Sequence, residues 1–106
     1  MNKTIDKKQV IDLQSVVDYA EGRTVSRELL HSATGCIIAF AFDAGQGLGQ
    51  HTAAFEVMLQ ILDGEAEIMI EGETFHPKAG DILIIPKNAV HAVTAHVRFK
   101  MLLTRL

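Results

Sequence analysis

Short apolar runs dominate the chain from Thr24 onward. They are rich in Val, Ile, Leu and Phe, and Gly, Asp, Asn and Pro separate them at intervals of about ten residues, a rhythm typical of an all-β sandwich or barrel. The predicted strands cover residues 24–31, 35–42, 55–62, 65–71, 73–76, 81–85, 89–95 and 97–103.

Polar and apolar residues alternate most clearly in residues 65–71. The small and branched apolar residues fall on one face and the glutamates on the other, as in a half-buried antiparallel strand. Glu71-Gly72 then predicts a tight hairpin to the next strand. Residues 82–85 show no alternation, so we expect that strand to be covered on both faces, with the second cover supplied by another subunit.

A helical pattern occurs only before the first strand. Its apolar positions follow the spacing i, i+3, i+4, i+7, at Leu13, Val16, Val17 and Ala20. This spacing predicts one short helix, with Asp12 as its N-cap and Gly22 beyond its end. Residues 1–9 are polar and lysine-rich, and we expect them to be loosely held.

Length and composition favour one domain and a subunit interface. A chain of 106 residues supports a single core. We predict one domain over residues 1–106, with a lead-in over 1–23 that carries the short helix and a β-barrel over 24–106. The apolar fraction of 48% is high for so short a chain, which indicates a homo-oligomer.

Charge and hydropathy exclude several other classes of protein. The net charge is −3 and the ten Lys and Arg are scattered, which disfavours nucleic-acid binding. No apolar run approaches the roughly 18 to 20 residues of a membrane-spanning helix, and the N-terminus has no signal-peptide pattern. The lone Cys36 lies in an apolar run, typical of a small buried hydrophobic residue. We therefore expect a cytoplasmic protein with no membrane partner.

Two segments within the β-rich region share one plan, in which a glycine turn and an apolar run are combined with a histidine. The fixed points are Gly45, His51 and Gly64 in the first segment and Gly80, Pro86 and His91 in the second. Their spacing resembles the two motifs of the cupin superfamily, and the chain is similar to small single-domain conserved-barrel cupins. The resemblance implies an all-β double-stranded β-helix, or jelly roll, usually paired into dimers.

The same resemblance implies a metal centre of three histidines and one glutamate, and here that set is incomplete. His51 and His91 occupy the first and last histidine positions, whereas Ala53 and Val57 replace the second histidine and the glutamate. Glu56 is one residue short of the glutamate position, and a slip of one residue in a strand turns the side chain to the opposite face. Two alternatives stay open: no metal, or a divalent zinc, nickel, iron or manganese ion held by the two histidines and a third ligand.

Strand alternation from His51 defines a candidate ligand pocket with a largely apolar wall. The predicted pocket residues are His51, Ala53, Phe55, Val57, Leu59, His91, Phe99 and Met101. Met58 and Leu62 fall on the outer face, where we expect a dimer partner to cover them. Alternation from His91 points Val97 inward and His96 outward. We interpret Gly45, Gly47 and Gly49 as a flexible turn, because no helix or Lys-Ser/Thr pair follows that would indicate a phosphate loop.

Several functions are compatible with this pocket. The leading hypothesis is a binding protein for a small, largely apolar molecule, with a degenerate metal site. A metal-dependent enzyme of the oxygenase, isomerase or decarboxylase type is the alternative, using His51, His91 and a non-standard third ligand. Proton transfer between the two imidazoles without a metal is a further chemistry. A structural or regulatory dimer with a filled barrel is the remaining hypothesis.

Overall fold

The fold was analysed in a computed structural model that describes residues 5–106. In that range the chain forms strands β1 (Thr24–Ser32), β2 (Gly35–Phe42), β3 (Gly47–His51), β4 (Val57–Asp63), β5 (Glu67–Ile70), β6 (Glu73–Phe75), β7 (Ile82–Ile85), β8 (His91–Thr94) and β9 (Phe99–Arg105). They pair into a five-stranded sheet, β1-β2-β9-β4-β7, and a four-stranded sheet, β3-β8-β5-β6. All these pairings are antiparallel, and the predicted all-β jelly roll is confirmed.

The core lies between the two sheets, where the inward residues of each strand meet. Ala66, Ile68 and Ile70 are buried, as the alternation in residues 65–71 predicts. Phe42 and Phe99 are fully buried, and their rings stack at 4.7 Å between centroids, which fills the barrel at mid-height.

The hairpin from β5 to β6 follows the sequence prediction. Glu71 and Gly72 both have positive φ, at 49° and 83°, and Ile70 pairs directly with Glu73. Positive φ at both central residues is the geometry of a two-residue type I′ connection, whose twist matches that of the flanking strands.

The N-terminal helix that the apolar spacing predicts does not form at that length. Only Leu13–Ser15 is helical, as a single 3-10 turn, although the Asp12 side chain does accept a hydrogen bond from Gln14 N. Two successive β-branched residues, Val16 and Val17, disfavour continuation of the helix. Both are buried all the same, since the segment runs across the outer face of the five-stranded sheet. Residues 1–4 of the predicted loose start lie outside the described residues.

This N-terminal segment, residues 11–20, forms a second apolar cluster on the sheet. Val16 and Val17 pack with Leu29, Ala39 and Leu102, and Leu62 is partly buried against the same cluster. The chain's own N-terminal segment therefore covers part of Leu62, for which the sequence predicts a dimer partner as cover. Gln14 adds a long-range hydrogen bond from its amide nitrogen to the Leu62 carbonyl at 2.8 Å.

The glycine-rich segment after residue 45 is a strand and not a flexible turn. Gly47 pairs with Thr94 and Leu48 pairs with Val93, so β3 extends the four-stranded sheet. A Cβ atom at Gly47 would lie 2.2 Å from the Val93 carbonyl oxygen, which explains why this strand contains glycine. Of the three glycines in this segment, Gly45 alone has a positive φ, at 89°, and it forms the turn before β3.

Strand β7 is covered on one face only by the chain itself, and the second cover expected from another subunit stays a prediction. Ile85 is buried, but Ile82 is 61% exposed and Ile84 is 51% exposed, because β7 is an edge strand that pairs only with β4. The lack of alternation therefore means that this edge strand has apolar residues on both of its faces. Nothing in residues 5–106 covers the outer face. Val97, expected inward, is 52% exposed, since it lies in the connection before β9 where alternation does not apply.

Candidate functional site

His51 and His91 lie together at one end of the barrel. His51 ends β3 and His91 begins β8, and the two residues are direct partners in the pairing of these strands. Their ring centroids are 4.2 Å apart with an interplanar angle of 59°. His91 is buried, with 3% exposure, whereas His51 is exposed. The pair therefore has one imidazole inside the protein and one at its rim.

Backbone carbonyls fix the tautomer of both rings. The Nδ1 atom of His51 lies 2.7 Å from the Gly49 carbonyl oxygen, and Nδ1 of His91 lies 2.9 Å from that of Ala89. A carbonyl oxygen only accepts hydrogen bonds, so each Nδ1 carries the hydrogen. Each neutral ring then keeps its lone pair on Nε2, which is free to accept a hydrogen bond or bind a metal.

A cavity of about 390 Å³ opens beside the two imidazoles. We call it the mouth cavity. It lies between the sheets, and most of its wall is apolar. Its lining residues are Ile38, Phe40, Leu48, His51, Thr52, Ala53, Ala54, Phe55, Val57, His91, Leu103 and Arg105.

Five of the eight residues predicted for the pocket line this cavity: His51, Ala53, Phe55, Val57 and His91. The other three, Leu59, Phe99 and Met101, are 1%, 0% and 0% exposed in the core and are not in the cavity wall. Alternation points them inward correctly. They lie below the cavity because bulky side chains fill the barrel at their level, leaving open space only at the mouth.

Several residues in the wall of the mouth cavity were not predicted from the sequence, and Leu103 and Arg105 are the most informative of them. Both lie on the same face of β9 as Met101, two and four residues further on. The signal was present, since the inward alternation of β9 continues to Arg105, but the predicted strand stopped at Leu103. Phe40 and Leu48 come from β2 and β3, and β3 was not predicted as a strand.

Arg105 places a positive charge in the cavity wall. Its guanidinium carbon lies 5.0 Å from the centroid of the Phe55 ring, a cation–π distance. Its Nε atom is buried and has no hydrogen-bond partner among the described residues. The cavity wall contains no Asp or Glu.

The donor set does not fit the four-ligand metal centre that the resemblance implies. Ala53 and Val57 have no donor atoms, and the carboxylate of Glu56 is turned away and accepts a hydrogen bond from Lys87 N at 3.2 Å. Residues 5–106 contain no group of three or more His, Cys, Asp or Glu placed to hold a metal ion. Only the two imidazoles of the centre remain.

Two other histidines lie on the outside of the four-stranded sheet. His96 Nε2 and His76 Nε2 lie 3.0 Å and 3.5 Å from the same oxygen of Glu67. The hydrogen bond from His96 is the main cause that lowers the pKa of the Glu67 carboxyl below its usual value. His96 thus faces outward from the connection between β8 and β9, and neither histidine lines the mouth cavity.

None of the helices within residues 5–106 is long and apolar enough to cross a membrane.

Comparison with known proteins identifies the fold family. The cupin domain family matches residues 39–104, more than half of the chain. A conserved protein of unknown function from Streptococcus pyogenes is 32% identical with a TM-score of 0.93, and the match covers 99% of this chain and 92% of that one. A cupin superfamily protein from Desulfitobacterium hafniense is 26% identical with a TM-score of 0.91, covering 100% and 97% of the two chains.

A cupin 2 conserved barrel domain protein from Leptotrichia buccalis is 33% identical with a TM-score of 0.87. That match covers 91% of this chain but 47% of the longer relative. No curated protein is significantly similar to this chain. The family match, the jelly-roll topology and the two histidines in their motif positions agree, and this chain belongs to the cupin superfamily as a small cupin-domain protein.

Proposed function

We propose that this cupin binds a small, largely apolar organic molecule in the mouth cavity. The observation that carries the proposal is the cavity itself: about 390 Å³, walled mainly by apolar side chains, with two imidazoles at one end. Small-molecule sites have volumes of about 300 to 1,000 Å³ and combine apolar walls with a few polar groups. The mouth cavity falls within this range and composition.

His51 and His91 supply directional contacts to the ligand in this proposal. Because each Nδ1 is bonded to its own backbone, each Nε2 is an acceptor for a ligand hydroxyl or N–H group. The flat ring of Phe55 and the side chains of Phe40 and Leu103 contact the apolar body of the ligand. The imidazoles then orient the ligand, while the walls contribute most of the binding free energy.

A metal-dependent enzyme of the oxygenase, isomerase or decarboxylase type is the second candidate. One observation favours it: a histidine whose Nδ1–H is held by a carbonyl and whose Nε2 is free has the arrangement found in metal-binding histidines. The missing third and fourth ligands count against it.

We further propose that the protein acts in the cytoplasm as a homodimer. The sequence has one cysteine, Cys36, which is buried, and proteins of reducing compartments rarely use disulfides. The exposed isoleucines of β7 provide an apolar face for a second subunit.

Titration with benzyl alcohol, a neutral probe with an apolar ring and one hydroxyl group, tests the binding proposal. We expect saturable amide shifts of His51, Phe55 and Leu103 in ¹⁵N-edited NMR spectra. Ala53→Leu adds volume to the cavity wall, and we expect it to weaken binding roughly tenfold, a loss of about 1.4 kcal/mol. Ala33→Leu, in the exposed turn after β1, is the matched control and leaves the affinity unchanged. Shifts that do not saturate, or that avoid the cavity, would contradict the proposal.

Elemental analysis of untagged protein separates the two candidates. The binding proposal predicts a metal content well below one equivalent. About one equivalent of a divalent metal, lost when His51 and His91 are both changed to alanine, would instead support the enzyme.

A further inference from the structure

We propose that the mouth cavity selects an organic anion, in which Arg105 binds a carboxylate and the apolar wall binds the rest of the molecule. This inference rests on the proposed function, since it names the chemical class of the ligand that the same cavity takes. It adds one requirement that the two histidines do not impose, a negative charge on the ligand.

The side chain of Arg105 has no acidic partner within the described residues. Its Nε atom is buried without a hydrogen-bond partner in that part of the chain, and Arg105 is in none of the ion pairs found there. Buried polar atoms in folded proteins nearly always have a partner, and a buried charge without one is costly. A ligand carboxylate at the cavity wall would supply the negative partner that the protein itself does not provide.

The wall of the mouth cavity has basic side chains and no acidic ones. The titratable side chains that line the cavity are Arg105, His51 and His91. None of them is an acid, so any net charge in the wall is positive. In a partly buried site, where screening by water is weak, this balance attracts an anion and opposes a cation.

Arg105 also has no acidic neighbour across its strand pair. It pairs directly with Val57 on β4, an apolar residue that also lines the mouth cavity. No carboxylate at this position of the wall offsets the guanidinium, which favours an anion over a cation.

The guanidinium of Arg105 lies over the Phe55 ring in the cavity wall. Its carbon atom is 5.0 Å from the ring centroid. The N–H donors of a guanidinium lie in one plane, in a rigid fork. A carboxylate accepts two such donors in parallel, which makes it the best-matched small anion. The apolar residues Phe40 and Leu103 then favour a carboxylate attached to an aromatic or aliphatic body over an inorganic ion.

A second cavity of about 300 Å³ also borders Arg105, on the side of Leu30, Cys36 and Leu106. Phe55 lines the mouth cavity and not this second one. Because Phe55 is the residue that contacts the guanidinium, we assign the anion site to the mouth cavity.

Comparison of benzoate with benzyl alcohol tests the inference, because the two probes share a ring and differ in charge. We expect benzoate to bind more tightly by about 10- to 100-fold, as charge-assisted hydrogen bonds predict. Arg105→Met should remove this preference and leave the affinity for benzyl alcohol nearly unchanged. Arg105→Lys keeps the charge but loses the paired donors, and should retain part of the preference. Arg23→Met, at an exposed position outside the cavity, is the matched control.

The outcomes distinguish this inference from the proposed function. Equal binding of both probes by the wild-type protein would overturn the anion preference and leave the proposed function standing. If neither benzoate nor benzyl alcohol binds, both the anion preference and the proposed function are overturned. Benzoate-induced amide shifts confined to Leu30 and Cys36 would place the site in the second cavity and overturn the assignment. If Arg105→Met does not fold, the ratio of benzoate to benzyl alcohol affinity, measured for the wild-type protein and for Arg105→Lys, still tests the anion preference. Inorganic phosphate competing as well as benzoate would show that the apolar wall adds nothing, against the proposal.

Discussion

The chemistry of individual side chains at the barrel mouth is set by the backbone beside them. In both histidines the Nδ1 atom bonds to the carbonyl two residues earlier in the chain. This local bond fixes the tautomer before any ligand arrives, so each Nε2 is preorganised as an acceptor. Preorganisation of this kind lowers the cost of ordering the site on binding.

Asp43 is the residue whose protonation we expect to affect stability most directly. Its carboxylate accepts hydrogen bonds from Arg98 Nε and from Gly22 N, both at 2.7 Å. The hydrogen bond from Arg98 is the main cause that lowers the pKa of Asp43 below its ordinary value of 3.8. A carboxyl with a lowered pKa in the folded state stabilises the fold above its unfolded pKa. That contribution is lost as the pH falls through the folded pKa.

Asp43→Asn should therefore lower the Tm at pH 7, and this loss should shrink as the pH falls from 3.8 through the lowered pKa of the folded state. Thermal unfolding followed by circular dichroism across this range measures the difference. Asp18→Asn, at an exposed position, provides the control and should show no such pH dependence. An equal loss for Asp43→Asn at pH 7 and below the lowered pKa would mean that the carboxylate charge does not matter.

At the residue scale the sequence predicts the paired histidines well and misses the arginine. Motif spacing selects His51 and His91 as the paired histidines, and the structure brings them together as direct partners of β3 and β8. Arg105 was missed because its alternation on β9 runs past the end of the apolar pattern. A charged residue there is indistinguishable in sequence from a polar chain end.

At the element scale, β3 depends on tertiary contact. Its sequence, Gly-Leu-Gly-Gln-His, has low intrinsic strand propensity, so local pattern predicts a turn. The strand forms because β8 supplies its hydrogen-bonding partner and because Gly47 lets the Val93 carbonyl approach. The prediction of the N-terminal helix is wrong for a related reason. Val16 and Val17 are buried although their segment is irregular, and the spacing of buried residues alone does not distinguish such a segment from a helix.

Gly47→Ala tests the role of β3. Its Cβ would lie 2.2 Å from the Val93 carbonyl oxygen, so β3 and β8 must separate. We expect the free energy of unfolding to fall by about 1 to 3 kcal/mol, as for other overpacked sites. Gly49→Ala is the matched control, because a Cβ at Gly49 meets nothing within 4 Å. Chemical denaturation measures both, and equal stabilities would show that the close approach is not required.

At the scale of the whole molecule, the rhythm of short runs and the spacing of the two motifs were sufficient to predict the jelly roll. They could not predict how far the barrel is filled, since that depends on how side chains from both sheets interdigitate. Leu59 and Met101 close the lower barrel, and only the mouth stays open. The sequence likewise could not predict which residues pack over the outer face of the five-stranded sheet. Leu62 and Met58 have the same strand parity, but of the two only Leu62 packs in the cluster formed by the N-terminal segment.

The exposed face of β7 carries the last prediction, that the protein is a homodimer. Ile82 and Ile84 are more than half exposed, and Ile84 pairs with Met58 on β4, so the apolar surface extends across two strands. We expect the wild-type protein to have twice the 11.6 kDa mass of the chain in light scattering after size exclusion. The double variant Ile82→Glu/Ile84→Glu should be monomeric and still folded, since both side chains already face outward and like charges repel across a symmetric interface. Val97→Glu, which changes an equally exposed residue outside β7, should remain dimeric. A wild-type protein with the mass of one chain would contradict the homodimer, and a double variant that stays dimeric would exclude β7 as its interface.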